Sequence, residues 1–280
     1  MFKIMKKEVL NPTVVRMDIY APLIAKKAEP GQFILLRVDE EGERIPLTIA
    51  DYDRTKGFVS IIFQIVGQGT KSLSMKDEGD YIIDFVGPLG VATHTEGLKR
   101  VAIVGGGVGC AIAYPIAKKL HELGVEVHSI IGFRNKELVI LEEDFKLVSN
   151  QLHLMTDDGS YGEKGLVTNA LQSQIESGIV YDEVITIGPL IMMKFVCELT
   201  KKYGVKTTAS MNPVMIDGTG MCGGCRLSVG GKMKFACVDG PDFDGHEIDF
   251  DEALERSSMY KDFERTAYEE TCNLLTGEVK

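Results

Sequence analysis

At 280 residues, with 44% hydrophobic and 26% charged residues, the chain is long enough for two ordinary domains and too apolar to be disordered. A formal net charge of -10 disfavours nucleic acid and anionic membrane surfaces as partners. No apolar run approaches the ~18 residues of a spanning helix, and the stretch Met1 to Lys7 lacks the apolar core and cleavage site of a signal peptide, so a cytoplasmic protein is expected.

Residues 1–95 read as all-β. Short runs rich in β-branched residues, Val14–Tyr20, Gln32–Val38, Phe58–Ile65 and Tyr81–Phe85, are separated by turn signals at Asn11-Pro12, Pro30-Gly31, Glu41-Gly42 and Lys56-Gly57. This spacing predicts a small antiparallel barrel or sandwich. Two stretches within it have ligand-binding chemistry. Arg44-Ile-Pro46-Leu47-Thr48 follows an acidic turn, and Gly67-Gln-Gly69-Thr70 opens a short helix, where unpaired amides and a hydroxyl suit a phosphate. An ordinary turn and a solvated edge charge explain the same residues.

Residues 96–210 change period. A buried strand, Lys99–Val104, runs into Gly105-Gly106-Gly107-Val108-Gly109-Cys110, and a helix from Ala111 to Leu123 stops at Gly124. Strands at Val125–Ile131, Leu152–Thr156, Glu183–Gly188 and Lys206–Ser210 follow, with helices at Gly165–Ser177 and Leu190–Tyr203. Strands alternating with helices predict an α/β doubly wound parallel sheet. Its glycine run is where a dinucleotide pyrophosphate rests on a helix N-terminus. Cys110 stands in the last glycine's place, and the second strand runs into Gly132-Phe-Arg134-Asn-Lys136 without a lone acidic residue, so this feature does not choose between NAD and NADP. Two further loops leave carboxyl ends of strands: Thr156–Gly162, with Asp157 and Asp158, and Gly188-Pro189. Either aspartate suits a ribose hydroxyl or caps its own loop.

From residue 211 onward the chain is rich in glycine and carries Asp217-x4-Cys222-x2-Cys225-x11-Cys237. That spacing matches a [2Fe-2S] ligand run with a carboxylate in the first cysteine's place. It also suits zinc, for which aspartate is an acceptable ligand, and Asp217 before glycine is equally a turn residue. Six cysteines, three of them clustered, do not make a disulfide framework. Cys110, Cys197 and Cys272 are expected to be buried small hydrophobes. The tail from Asp249 to Leu275 predicts an irregular amphipathic helix packed on the chain's own surface.

A barrel with Arg-x-Pro-Leu-Thr and Gly-x-Gly-Thr, then a Gly-Gly-Gly-x-Gly dinucleotide domain, then a cysteine segment, resembles the ferredoxin-NADP reductase superfamily. Within it the chain is similar to the group containing the electron-transfer subunit of dihydroorotate dehydrogenase. The aspartate at 217 resembles the small subunits of NADH-dependent ferredoxin:NADP+ oxidoreductases, the electron-bifurcating transhydrogenases. The resemblance implies an FAD-binding antiparallel β-barrel over 1–95, an NAD(P)-binding α/β domain over 96–210 and a small [2Fe-2S] segment with its helical tail over 211–280. It places Arg44 near the FAD phosphates, Pro46, Leu47 and Thr48 along the isoalloxazine, Phe63, Gln64 and Ile65 on the adjoining strand, and Gly69 and Thr70 on the pyrophosphate. NAD(H) would lie over Gly105, Gly106, Gly107, Val108 and Gly109, with Asp157 or Asp158 toward a ribose and Gly188-Pro189 beneath the nicotinamide. Asp217, Cys222, Cys225 and Cys237 would hold the cluster. The implied activity moves hydride between nicotinamide and flavin and single electrons through the cluster, with no acid–base triad. The implied partner is a larger flavin and iron-sulfur subunit in a heterodimer, with ferredoxin met only through it. The competing readings are the electron-transfer subunit of another oxidoreductase, such as dihydroorotate dehydrogenase, and a zinc-stabilised nucleotide-binding regulatory module.

Overall fold

The β-branched runs of the first part close into one antiparallel sheet, seen in a computed structural model that describes residues 1–259 together with Phe263 and Thr266. Its strands are β1 (Phe2–Asn11), β2 (Val14–Tyr20), β3 (Phe33–Arg37), β4 (Arg44–Asp53), β5 (Phe58–Gln64), β6 (Tyr81–Ile82) and β7 (Asp84–Leu89), with α1 (Pro22–Ala25) and α2 (Gln68–Ser74) between them. The spatial order is β6-β1-β2-β5-β4-β3-β7. The two edge strands are separated in the chain by Ile83 alone, so the sheet curls until its edges nearly meet. Inward positions alternate with outward ones, and Met17, Ile19, Ile34, Leu36, Ile49, Ile61, Phe63 and Phe85 fill the barrel.

The α/β part supplies β8 (Arg100–Gly106), α3 (Gly109–Glu122), β9 (Glu126–Phe133), α4 (Glu142–Val148), β10 (Gln151–Thr156), β11 (Glu163–Lys164), α5 (Val167–Glu176), β12 (Glu183–Ile187), α6 (Leu190–Tyr203) and β13 (Thr207–Ser210). Successive residues of β8 divide between two cores. Val101 and Ile103 pack with Ala113 and Ile116 of α3 and Phe145 of α4, whereas Ala102 and Val104 pack with Leu171 of α5 and Val196 of α6. Helices therefore cover both faces, and the sheet is doubly wound as expected. Its order, β11-β10-β9-β8-β12-β13, reverses direction between β8 and β12. In such sheets ligands bind outside the carboxyl ends of the strands at the reversal.

The last part adds the hairpin β14 (Arg226–Val229) and β15 (Lys232–Phe235), then β16 (Asp242–Asp244) and α7 (Phe250–Ser258). β16 joins the α/β sheet antiparallel to β13, pairing Ser210 with Asp242 and Thr208 with Asp244. A third core joins all three parts: Phe33 and Leu35 of β3, Met193 and Cys197 of α6, and Met211, Met215, Cys225, Cys237 and Phe243 of the C-terminal segment. Lys118 of α3 adds an ion pair to Asp51 of β4 at 2.9 Å. Asp249 caps α7 by accepting from the Glu252 amide at 2.9 Å. Beyond Met259, the expected tail helix and Cys272 lie outside the described residues, apart from Phe263 and Thr266. No helix among the described residues is long and apolar enough to cross a membrane.

Candidate functional site

Where the barrel, the α/β sheet and the cysteine segment meet, a small open cleft is lined by Phe33, Pro46, Thr48, Ile112, Ser210, Met211 and Pro241, among others. The period-2 alternation of β4 sorts the barrel's candidate residues. Pro46 and Thr48 face the cleft, and Leu47 between them packs against the barrel core instead. Arg44 is exposed at the start of β4 and forms no ion pair with the described residues, whereas its cross-strand neighbour Arg37 is tied to Asp84 at 2.8 Å. Gly69 brings α2 close to β4, since a Cβ there would sit 2.7 Å from Cδ1 of Ile45. The Thr70 hydroxyl is already committed: it accepts from the Val66 and Gly67 amides at 3.0 and 3.1 Å and donates to the Gly67 carbonyl at 3.0 Å. What remains for a phosphate at this loop is the first amides of α2, which have no helical carbonyl behind them.

Gln64 and Ile65 are half-buried at the end of β5, but the Phe63 side chain is only 1% exposed and lies in the barrel core. Its contribution is therefore to the barrel. Phe63→Ala is expected to lower unfolding free energy by about 3–5 kcal/mol, measured by urea denaturation of cofactor-free protein.

The dinucleotide loops meet at the reversal of the α/β sheet. Gly107 takes φ +55°, and its amide donates to the Gly132 carbonyl at 2.9 Å, which ties the turn to β9. A Cβ on Gly109 would lie 2.5 Å from the Ile187 carbonyl oxygen and 2.7 Å from Cα of Gly188. Gly105 to Gly109 thus touch Gly188-Pro189 backbone to backbone, as only glycine allows. Cys110, in place of the last motif glycine, is fully buried against the Gly105 turn, and burial pushes its thiol well above the usual range. Burial likewise pushes Cys197 up to about 12. Both are packing residues, as expected.

The Asp157–Asp158 loop lies beside the end of β9, with its amides donating to the carbonyls of Phe133 and Arg134 at 3.0 and 3.3 Å. Asp158 is spent locally: its Oδ1 accepts from the Ser160 amide at 2.9 Å, and Ser160 holds the carboxyl below its usual range. Asp157 is exposed, and its carboxylate accepts no hydrogen bond from the described residues. Of the two, Asp157 is the one available to an external hydroxyl.

In the cysteine segment, Asp217 folds the loop back on itself. Its Oδ1 accepts from the Thr219 amide at 2.8 Å and its Oδ2 from the Cys222 amide at 2.7 Å. The Thr219 amide, joined by that of Cys222, holds the carboxyl below its usual range. Cys225 and Cys237 are buried with their sulfurs 3.2 Å apart. Burial, reinforced by the Cys225 thiol, pushes Cys237 up to about 12. Cys222 is exposed, and the Gly224 amide already points at its sulfur, 3.4 Å away.

The structure therefore brings Cys225 and Cys237 together as a pair, and Asp217 and Cys222 through a backbone bond. Among the described residues no three Cys, His, Asp or Glu side chains close round one point. Three sulfurs and a carboxylate on a glycine-rich loop, with an amide aimed at a ligand sulfur, fit an iron-sulfur cluster. Two arginines brace this loop, Arg226 and Arg256 donating to the carbonyls of Gly223 and Gly224, each at 3.1 Å. Neither they nor the cleft residues Ser210, Met211 and Met215 carry a sequence motif. Ser210 and Met211 were nevertheless findable, because they end the last parallel strand, on the ligand-binding side of the sheet.

Residues 212–249 match the iron-sulfur cluster binding domain of dihydroorotate dehydrogenase B. The chain is 46% identical over 267 residues to a Thermotoga maritima protein named as a homolog of the dihydroorotate dehydrogenase B (NAD(+)) electron transfer subunit, covering 95% of this chain and 94% of the relative. To the electron transfer subunit of that enzyme from Geobacillus thermodenitrificans it is 32% identical over 254 residues, covering 88% and 96%. A solved structure of an NADH-dependent reduced ferredoxin-NADP oxidoreductase, described for flavin-based electron bifurcation, superimposes with a TM-score of 0.92 at 43% identity, covering 97% and 98%. With a reductase-like barrel and sheet and this cysteine segment, the chain belongs to the family of dihydroorotate dehydrogenase B electron transfer subunits and their homologues.

Proposed function

We propose that the chain is the FAD- and [2Fe-2S]-containing subunit that passes electrons between NAD(H) and a larger flavin and iron-sulfur subunit, in an NADH-dependent ferredoxin:NADP+ oxidoreductase. The observation that carries this reading is the single cleft shared by the three parts. It is bounded by Pro46 and Thr48 of the barrel, by Ile112 just past the glycine turn and by Met215 just before Asp217. A flavin in that cleft converts two-electron hydride chemistry into one-electron transfer, and the protein supplies orientation and electrostatics.

Each set of residues then has a defined task. Arg44 and the first turn of α2 offset phosphate charge, and Pro46 and Thr48 flank the ring. The touching glycine loops leave room for a dinucleotide on the start of α3, and Asp157 accepts from its ribose. Asp217, Cys222, Cys225 and Cys237 hold the cluster. Around the exposed Cys222 lie Met221, 89% exposed, and the exposed Val214, Ile216 and Val238. This apolar surface faces the larger subunit, which completes a heterodimer and meets ferredoxin on the chain's behalf. Clustered cysteines without a disulfide framework and a pyridine-nucleotide donor support a cytoplasmic setting for this role.

The second reading, an electron transfer subunit serving dihydroorotate dehydrogenase, is favoured by the match at residues 212–249. Asp217 in place of a fourth cysteine favours the first. Asp217→Ala is expected to lose the cluster or lower its iron content well below that of the parent. Normal iron and an unchanged reduced-state EPR signal would count against Asp217 as a ligand.

An anaerobic visible spectrum of the purified chain, titrated separately with NADH and NADPH, tests the whole proposal. Flavin bands over a broad iron-sulfur absorbance, bleached by NADH in preference, are expected. A colourless chain holding zinc would overturn it. Bleaching by NADPH alone would reverse the nucleotide assignment.

A further inference from the structure

Of the peptides that join Cys222 to Cys225, the last two are each gripped by an arginine. Arg226 Nη1 donates to the Gly223 carbonyl and Arg256 Nη2 to the Gly224 carbonyl, each at 3.1 Å. Neither peptide is cis, and in a trans peptide the N–H points opposite to the C=O. The arginines therefore hold the amides of Gly224 and Cys225 turned away from themselves. For Gly224 the direction is visible: its N–H donates to Cys222 Sγ at 3.4 Å, from the same peptide whose carbonyl Arg226 holds.

The two contacts differ in origin. The Gly223 carbonyl also accepts from the Arg226 amide at 3.4 Å, so a local turn helps to place it, and the Arg226 side chain is exposed. Arg256 reaches in from α7 and is half-buried, and no backbone amide among the described residues serves the Gly224 carbonyl. α7 is itself fastened on two sides. The Asp249 amide donates to the Ser228 carbonyl at 2.9 Å and the Ser228 amide to Glu252 at 3.1 Å, which ties α7 to β14. Asp251 pairs with Lys194 of α6 at 2.7 Å. Among the described residues neither arginine pairs with a carboxylate, whereas Lys234 of the same hairpin is matched to Asp239 at 3.4 Å.

A loop carbonyl needs no more than water to satisfy it. A half-buried guanidinium, carried by a docked helix and left without a counter-charge, adds something water does not. We infer that Arg256, with Arg226 in a smaller part, sets the electron affinity of the cluster loop, by fixing the amide dipoles and placing positive charge behind them.

On the iron-sulfur reading of Asp217, Cys222, Cys225 and Cys237, on which this rests, one electron from the flavin adds one negative charge to a chain already at -10, with no bond made or broken. N–H groups aimed at ligand sulfurs and cations close by oppose that repulsion and favour the reduced state. A cation hydrogen-bonded to the carbonyl also polarises its peptide and strengthens the bond made by the N–H on the far side.

An EPR-monitored redox titration of the purified chain with its flavin and cluster, run beside iron analysis, tests this. Arg256→Met keeps the apolar stem and removes the charge and the donors. It is expected to hold iron at the parent level, with the ratio of reduced to oxidised cluster about tenfold lower at a given potential, or about 59 mV for a one-electron couple. Arg256→Lys keeps the charge and should stay within about threefold of the parent, because the contact is a single bond and not a bidentate fork. Arg226→Met should shift the ratio the same way by about threefold, since solvent screens an exposed charge. A brace without an electrostatic role would lose iron or melting temperature and leave the potential where it was. An unshifted ratio in R256M at full iron, or R256K shifted as far as R256M, would overturn the inference alone. If R256M holds too little iron to titrate, R226M decides: a lowered ratio supports the inference and a parent-like one overturns it. A parent chain without iron would bring it down together with the cluster reading.

Discussion

Cys225→Ser is expected to strip the chain of iron, from about two atoms to essentially none, while leaving NADH able to bleach the flavin. Cys225 is 2% exposed, and its sulfur sits 3.2 Å from that of Cys237. A serine hydroxyl in that place stays protonated and is a poor ligand for iron. The fold itself should change little, because one small polar group without a partner costs about 1–3 kcal/mol. Iron analysis, the reduced-state EPR signal and electron output to a one-electron acceptor would vanish together, with flavin content unchanged. Full iron retention in the variant would remove Cys225 from the ligand set and weaken the cluster assignment for the whole segment.

Gly109→Val is expected to lose dinucleotide binding while keeping flavin and iron. Its Cβ alone would meet the Ile187 carbonyl oxygen at 2.5 Å and Cα of Gly188 at 2.7 Å, and backbone on both sides of the contact cannot swing aside as a side chain would. Overpacking of this kind costs about 1–3 kcal/mol, so the variant should fold with a lowered melting temperature. The relief available is to part the loops after β8 and β12, which moves the first turn of α3 away from the nicotinamide loop. NADH affinity should drop at least about 100-fold, roughly 2.7 kcal/mol, as read by flavin bleaching against NADH concentration. Parent-like affinity would show that the two loops separate without harm, and the dinucleotide would have to be sought elsewhere.

Elements bounded by strong local chemistry were legible in the sequence. α6 runs from Leu190 to Tyr203 as read, between Pro189 and Gly204, a glycine with φ +66°. The strand Val14–Tyr20 was equally clear, because the tight Asn11 to Thr13 turn starts it and its side chains are nearly all buried. β1 was hidden: three lysines stud it, and only Ile4 and Asn11 are fully buried. β16 is three residues, Asp-Phe-Asp, whose pairing with β13 is decided by tertiary contact and leaves no local trace. α4 was missed for a similar reason, being seven residues with four charges.

The candidate site divides along the same line. The glycine turn and the cysteines announce themselves, because backbone geometry and ligand chemistry restrict the residues allowed there. Which of Pro46 and Leu47 faces the cleft is a matter of strand parity, fixed only once β4 pairs with β3. The Thr70 hydroxyl suits phosphate on paper, but its own loop claims it first.

The third core has a consequence for how the protein matures. The pocket around Cys225 and Cys237 borrows Phe33 and Leu35 from early in the chain and Met193 and Cys197 from the far side of the α/β sheet. Contacts so distant in sequence form late, after the loop-closure entropy between them has been overcome. Iron loading at this pocket is therefore expected to follow the docking of the two larger parts. A lesion anywhere in the barrel or the sheet should then surface first as failed iron loading, so that the cysteine segment acts as an inspection point for the whole assembly.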